Sequence, residues 1–530
     1  KKLTIEESAF YGCIGLTSVV LPERVQTIGA HAFGGCLYLT TVTVNSSGEG
    51  ETKTLDYKAY AFNDTKDNDY ESTVTTLNLG KSATIFNVAE SLGDKISLIV
   101  LADGNKSFVL DNKVLYNADK SKISYYPDIE GPYEAPDSLV EIGRRIFANR
   151  LYLSQVTLKS RVKIIDAYAF YNCSGLQSVT IPADSQLTTI GEYAFGDCTA
   201  LTEIALPASL TSLQASADGN INVFDKCVAL SSITVAENNQ NYTTKDNILY
   251  SIDEAKNPIA LLFCPAMYTA NDGNVIVPAT VKKINNKAFY NNNSIKTFKF
   301  EEGVSGEISF GSQVFNNCGQ LTRVELPTGT TVIGTRMFSS CPDLTYIFVP
   351  NTVKTIGQYA FEKCAKLKEI EFESGNEKTI LTLGTGKAPA TTTAYIFNEL
   401  PSFTTVTLPN RITDLPKYTF YNCFAITELN IPDSVKMIGQ YVFYFNTNYV
   451  QQVQLQTVAF TANSAVTTIS DYAFSKLLKL KNFGVPVADA TDETKVTYSM
   501  PKTVTTLGKC VFEDDSALEY IEIGAKVSAL

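Results

Sequence analysis

The chain has no tryptophan, four methionines and a single histidine, and these shortages narrow its chemistry before any residue is placed. One histidine cannot supply a multi-histidine zinc site, and a lone His31 between Ala30 and Ala32 speaks against Ser-His-Asp or Cys-His catalysis. It is expected to be a surface substitution in one copy of a repeat. Basic residues are also short: 44 against 55 acidic ones leave a formal charge of -11 and a pI near 4.9. That balance repels phosphate backbones and anionic lipids, which excludes nucleic acid as the expected partner. No stretch approaches the roughly 18 apolar residues of a membrane span. No charged-then-apolar leader opens the chain.

Cysteine is present, and its placement is informative. A secreted chain with 11 cysteines invites a disulfide reading. Yet nine of them, Cys13, Cys36, Cys173, Cys198, Cys227, Cys318, Cys341, Cys364 and Cys423, each stand three residues after a phenylalanine; only Cys264 and Cys510 break the rule. Alignment on those phenylalanines yields a unit close to AFxxCxxLxxVxLPxxVxxIGxx. Its clearest copy runs Phe338, Cys341, Leu344, Ile347, Val349, Pro350, Val353, Ile356, Gly357. The next begins at Phe361, and the same 23-residue step separates Phe10 from Phe33, Phe147 from Phe170, Phe315 from Phe338, Phe397 from Phe420 and Phe420 from Phe443. Looser anchors at Phe62, Phe86, Phe195, Phe224, Phe289, Phe474 and Phe512 extend the pattern to about 17 units over residues 1–530.

Length alone would suggest several globular domains, but stacked repeats bury apolar surface between neighbours without thickening a core. Each unit has a physical reading. LxxVxLP alternates as a half-buried strand does, and proline ends it by removing a ladder donor. VxxIG returns apolar residues to the core from the opposite side, with glycine permitting a bend. Ala-Phe sits on a short helical turn, its ring filling the coil. Strand beside strand at about 4.8 Å, 17 units make a parallel sheet of roughly 80 Å along its arc. The in-phase cysteines come within disulfide reach of one another. Free buried thiols are nevertheless expected, because Thr65, Asn292, Asn446 and Asp515 take the same position in other copies and point to a small group bonding to loop backbone.

The Pro-xx-Val-xx-Ile-Gly-xx-Ala-Phe-xx-Cys-xx-Leu run, seen from Pro327 to Leu344 and from Pro350 to Leu367, resembles the BspA-like (Treponema pallidum type) leucine-rich-repeat proteins. The resemblance implies an α/β repeat, a right-handed solenoid with a parallel sheet on its concave face and short strands or helical turns on its convex side. It also implies a cell-surface or secreted bacterial protein associated with adhesion to host matrix or to other bacteria. It supplies no catalytic residues and no cofactor, because the repeat specifies a fold and not a ligand.

Regularity fails twice, in elongated units at 86–147 and 224–289. Asn112-Lys113-Val114-Leu115-Tyr116 parallels Asp246-Asn247-Ile248-Leu249-Tyr250, and apolar runs then lead to Tyr126-Pro127 and Cys264-Pro265. Each reads as a β-hairpin built into one unit, with phase resuming at Ile142-Gly143 and Ile284. Neither end shows a polar cap, so the chain reads as a fragment of a longer protein.

Other motifs dissolve on inspection. Lys387 follows Gly384 and Gly386 as in a phosphate loop, but Ala388 stands where Ser or Thr should be and Leu381 where the first glycine is required. Ser160-Arg161-Val162-Lys163 has the letters of a penicillin-binding enzyme, while the serine shares its repeat position with Ser209 and Ser434. Asp64, Asp67 and Asp69, and Asp514 with Asp515, lack the glycine-turned loop of a calcium site and read as solvated loops. No metal site is expected.

Residues flanking the buried valine of each strand should face outward: Ser18 and Val20, Thr41 and Thr43, Ser178 and Thr180, Glu203 and Ala205, Ser232 and Thr234, Thr297 and Lys299, Thr405 and Thr407, Glu428 and Asn430. Most are bland. Tyr346 and Phe348, beside Arg323 and Glu325 and before Glu369 and Glu371, have the composition of an interface hot spot. The leading expectation is a non-enzymatic scaffold that binds a protein ligand through this face, many modest contacts adding by avidity. The alternative is glycan capture, disfavoured by the lack of tryptophan but kept open by 28 tyrosines. An enzyme comes last.

Overall fold

The computed structural model describes residues 3–45, 56–57, 61–62, 72–84, 95–214, 222–375, 379–384, 393–446, 448–488 and 496–528. Phe86, Thr65, the acidic residues Asp64, Asp67 and Asp69, and Gly386-Lys387-Ala388 lie outside the described residues. The chain divides into two compact units, Lys1–Thr243 and Thr244–Leu530. Each is a β-solenoid of stacked parallel strands. Among the described residues only Ala270–Gly273 and Val450–Gln452 are helical, both as short 3-10 turns. The helical component of the expected α/β repeat is therefore corrected to a nearly all-β coil.

The main strands stack so that one apolar residue per turn forms a continuous buried row. In the first unit Val42, Leu77 and Ile99 stand in register, and after the elongated turn Tyr133, Val156, Val179, Ile204 and Ile233 do the same. In the second, Val275, Phe298, Val324, Ile347 and Ile370 make one row and Val406, Leu429, Val458 and Phe483 another. Alternation along each strand sends the flanking residues outward. The VxxIG segments build a second parallel ladder, for example Ile142, Ile165, Ile190 and Leu213. Its glycine serves close approach and not the bend expected of it. A Cβ at Gly191 would lie 2.2 Å from the Ala167 nitrogen, and one at Gly357 2.6 Å from that of Thr335, while neither backbone is left-handed.

The Ala-Phe segment is where the helical turn was expected. Its backbone forms successive tight turns instead. In the turn at 166–173, Ala169, Tyr171 and Cys173 donate to carbonyls three residues back, while the N–H groups of Tyr168, Phe170 and Asn172 donate at 2.8–2.9 Å to Glu192, Ala194 and Gly196 of the following turn. This division of labour needs two left-handed residues per turn, Tyr168 and Asn172, each at φ 58°. A non-glycine residue there costs on the order of 1 kcal/mol or more. The hydrogen bonds between turns hold it in place.

Phenylalanine rings stack along both units: Phe147 to Phe170 at 4.8 Å, Phe170 to Phe195 at 5.2 Å, Phe315 to Phe338 at 5.4 Å and Phe338 to Phe361 at 5.7 Å. Beside them runs the cysteine column, and its chemistry is uniform. Every in-phase thiol from Cys36 onward donates to the carbonyl of the phenylalanine one turn earlier, as Cys341 does to Phe315 at 2.9 Å, Cys364 to Phe338 at 3.1 Å and Cys423 to Phe397 at 2.7 Å. Asn292 fills the position with an amide that donates to the Pro265 carbonyl at 2.6 Å. Arg150 fills it with a guanidinium bonded to the Tyr126 carbonyl at 2.9 Å.

All eleven cysteines are free thiols; Cys13 and Cys510 are exposed and the other nine buried. Burial raises the Cys173 thiol to about 12, so the nucleophilic thiolate is scarce in the column. A native-state titration with a thiol reagent is expected to label Cys13 and Cys510 rapidly and the remaining nine only on unfolding. Mass mapping that finds Cys341 or Cys364 labelled at a comparable rate contradicts the buried column.

Both elongated turns carry antiparallel strands. In the first, Asn112 and Lys113, at φ 47° and 69°, make a two-residue turn between Phe108–Asp111 and Val114–Asn117. Two left-handed residues are what a type I′ hairpin demands. Ile123–Tyr125 then pairs back on Val114–Asn117. In the second, Asp246 and Asn247, at φ 52° and 61°, precede Ile248–Ile252, which pairs antiparallel with Pro258–Phe263. Phase resumes at Ile142 and Ile284, each paired in the second ladder.

Candidate functional site

Register places all six candidate residues together on the outer face of one sheet in the second unit. Arg323, Tyr346 and Glu369 stand side by side on successive strands, as do Glu325, Phe348 and Glu371. The Arg323 guanidinium lies 3.9 Å from the centre of the Tyr346 ring, and its Nε donates to Glu325 Oε1 at 2.8 Å. The Tyr346 hydroxyl donates to the Glu371 carboxylate across the Glu369–Phe372 strand. Burial first, then that hydrogen bond and the Glu371 charge, raise the Tyr346 hydroxyl to about 12. It remains a donor at neutral pH.

Arg323, Glu369 and Glu371 are exposed, while Tyr346, Phe348 and Glu325 are half-buried. The aromatic pair is thus supported from below and flanked by charges fixed by mutual contacts. The Arg323 guanidinium over the Tyr346 ring and the hydrogen bond to Glu371 hold that ring in place, which reduces the ordering cost of binding. Glu369 makes no ion pair among the described residues, so its exposed carboxylate beside Tyr346 is open to a partner's cation.

The first unit's outer sheet face is less bland than the sequence suggests. Leu98 and Val100 are 52% and 47% exposed, in register with Thr76 and Asn78. Their strand, Leu98–Leu101, follows the weak anchor Phe86, and its apolar run offered no alternation to mark which residues face out.

A tyrosine ladder also escaped the sequence reading. Tyr359, Tyr395, Tyr418, Tyr441 and Tyr472 stack at 4.9–5.7 Å, with Tyr421 and Tyr444 forming a second column 5.5 Å apart. The signal was present as Tyr-x-Phe, from Tyr359-Ala360-Phe361 to Tyr472-Ala473-Phe474. Each ring of the first column stands at the left-handed residue two before a core phenylalanine, while Tyr421 and Tyr444 directly follow Phe420 and Phe443. Neighbouring rings occupy one another's faces, so only edges and hydroxyls look outward. The ladder braces the turns.

The remaining candidates resolve into structure. His31 occupies the same left-handed turn position at φ 53° as Tyr168 and Arg336. Ser209 and Ser434, the repeat counterparts of Ser160, donate to the carbonyls of Leu187 and Ile412, each at 2.8 Å, one turn back. Asp515 turns into the cysteine column, where its Oδ1 accepts the Leu477 N–H at 2.8 Å, so it does not share a solvated loop with Asp514. Among the described residues no group of three or more His, Cys, Asp or Glu is placed to hold a metal ion, and no helix is long and apolar enough to cross a membrane.

A family model described as BspA type leucine rich repeat region (6 copies) matches residues 3–84, 131–251, 266–382 and 390–493. Among solved structures, the chain is similar to the pneumococcal vaccine antigen PcpA, at 16% identity and a TM-score of 0.44, with 86% of each chain covered. It is similar to a leucine-rich repeat protein from Eubacterium ventriosum at 20% identity and a TM-score of 0.41, covering 63% of this chain and 93% of that one. The T. pallidum leucine-rich repeat protein matches at 18% identity and a TM-score of 0.21, over 49% of this chain and 87% of that one. No curated protein matches the chain.

Proposed function

The chain belongs to the BspA-type leucine-rich-repeat family, whose repeats generally mediate protein–protein interaction, and from that premise we propose that it is a non-catalytic adhesion scaffold that captures a protein at a bacterial cell surface. We further assign the contact to Tyr346 and Phe348 with Arg323, Glu325, Glu369 and Glu371. The observation that carries this reading is the ordered cluster in which Arg323 covers Tyr346 and Tyr346 bonds to Glu371. Aromatic and arginine side chains anchor protein interfaces because they bury large area at low ordering cost, and fixed charges beside them select the partner's register. A pneumococcal vaccine antigen and a leucine-rich cell surface protein from Faecalibacterium prausnitzii are among the structures the chain resembles, which accords with a surface location.

The test uses the whole chain immobilised for surface plasmon resonance against purified extracellular-matrix proteins and intact bacterial cells. For a protein that binds, Tyr346→Ala/Phe348→Ala is expected to weaken Kd by about 30-fold or more, equivalent to the ~2 kcal/mol or more that marks a hot spot. Unchanged affinity removes the site. Turnover of ester, peptide or glycoside substrates removes the non-catalytic reading.

A further inference from the structure

The outer sheet face of the second unit carries acid that the fold does not explain. Strand Glu369–Phe372 sends Glu369 and Glu371 outward as alternate residues, about 6.7 Å apart along the strand. Both are exposed, and among the described residues no lysine or arginine pairs with either. Arg323, two strands away, is held by Glu325 at 2.8 Å, and Lys366, in the loop before the strand, by Asp343 at 2.6 Å. Lys299 stands three strands away, and Lys368 adjoins Glu369 in the chain without pairing to it.

Repetition supplies the comparison. The same outward positions hold Thr41 and Thr43, or Ser178 and Thr180, in turns of the first unit, so residues with a hydroxyl satisfy the fold there. Glutamate is the poorer strand former, and two like charges on one strand repel. Glu373, the next alternate acid, has a structural task, since it accepts the Asn351 N–H at 3.0 Å. Glu371 accepts the Tyr346 hydroxyl and keeps further lone pairs to offer.

The two carboxylates border aromatic rings. Tyr346 stands beside Glu369 and Phe348 beside Glu371 on the neighbouring strand, and Glu325 flanks Phe348 from the other side. A lysine or arginine lying across this face meets a carboxylate with its charged head while its methylene stem covers a ring. A neutral segment would leave both carboxylates without a counter-charge, and an acidic one would be repelled. An extended segment repeats its side chains at the same spacing as Glu369 and Glu371, because both are strands.

We propose that the partner docks here through a basic extended segment, two lysines or arginines separated by one residue, whose heads pair with Glu369 and Glu371 and whose stems lie over Tyr346 and Phe348. This rests on the assignment of the contact to this face and adds the chemistry of what is bound. The experiment titrates short capped peptides, in which lysine, glutamine or glutamate alternates with threonine, against the full chain by calorimetry at physiological salt, where general attraction to an acidic chain is screened. The lysine peptide is expected to bind, the glutamine peptide about tenfold more weakly or worse, and the glutamate peptide not at all. Glu369→Gln/Glu371→Gln should raise the Kd of the lysine peptide about tenfold, as the loss of two exposed ion pairs implies. Glu203→Gln/Glu237→Gln changes the net charge equally on the first unit, at two exposed glutamates, and should leave that Kd unchanged. No binding of the lysine peptide at millimolar concentration, equal affinity for the glutamine peptide, or equal losses from the two glutamine variants overturns the proposal. Lysine-peptide affinity indifferent to Glu369→Gln/Glu371→Gln, alongside loss of a protein ligand in Tyr346→Ala/Phe348→Ala, removes the basic segment and leaves the aromatic contact standing.

Discussion

Phe338→Ala is expected to lower the unfolding free energy by about 3–5 kcal/mol, the usual cost of deleting a buried phenylalanine ring. Phe338 has no accessible surface and stacks on Phe315 at 5.4 Å and on Phe361 at 5.7 Å. The Cys364 thiol also donates to its carbonyl, so the turn that carries the ring is tied to the next one. A cavity there unsupports both neighbours at once. In a solenoid each turn is stable only through its neighbours, so the loss should spread locally before it spreads globally. Hydrogen exchange should therefore accelerate first in the turns at 315–367, and denaturant unfolding should become broader or biphasic. Phe10→Ala supplies the contrast. Phe10 is 43% exposed and stacks on Phe33 at 5.0 Å, so its removal should cost about 1 kcal/mol. Equal costs for the two substitutions would show that the rings are not the axis on which the coil depends.

The second large effect concerns Asp515, a carboxylic acid at the column position that most other turns fill with a thiol. Burial raises its carboxyl to about 8, and Oδ2 has no hydrogen-bond partner while Oδ1 accepts the Leu477 N–H. Protonation converts the orphaned oxygen into a donor, the role that cysteine plays in the other turns. The folded chain then holds this proton more tightly than the unfolded chain, whose carboxyl titrates near 3.8. Stability of the last turn is consequently greatest below pH 4 and falls as pH rises, with the contribution gone above about pH 8. Each pH unit inside that window corresponds to up to ~1.4 kcal/mol, and partial solvent access reduces the whole effect to about 2–4 kcal/mol. Exchange in residues 500–528, corrected for its intrinsic pH dependence, should reveal a loss of protection between pH 5 and 8. Asp515→Cys restores the column's usual donor and should flatten that dependence while raising protection at pH 8. A slope that persists in Asp515→Cys assigns it to another group.

Much of the fold was legible because burial in a repeat recurs at fixed offsets. Phenylalanine, cysteine three residues later, and one apolar residue per strand are each demanded by contacts with the same positions one turn away, so the period carried its own explanation. The candidate face was legible for the same reason: Arg323, Tyr346 and Glu369 share a repeat position, and parallel register makes positional equivalence into adjacency. The Ala-Phe turn was misread because no propensity announces a backbone that uses left-handed tyrosines. Those residues are held there by hydrogen bonds from the next turn, which no local window contains.

The amino-acid sequence by itself determined the coil, its period, its buried rows and which residues lie outward, since these follow from which side chains avoid water at each offset. Tertiary structure alone decided which groups touch: that Tyr346 reaches Glu371, that Arg150 stands in the thiol column beneath Tyr126, and that Tyr116, Tyr126 and Tyr133, separated by unequal lengths of an insertion, pack together. Periodicity specifies burial, whereas contacts across an irregular turn depend on where the chain re-enters register, and that is set by the packing of the whole stack.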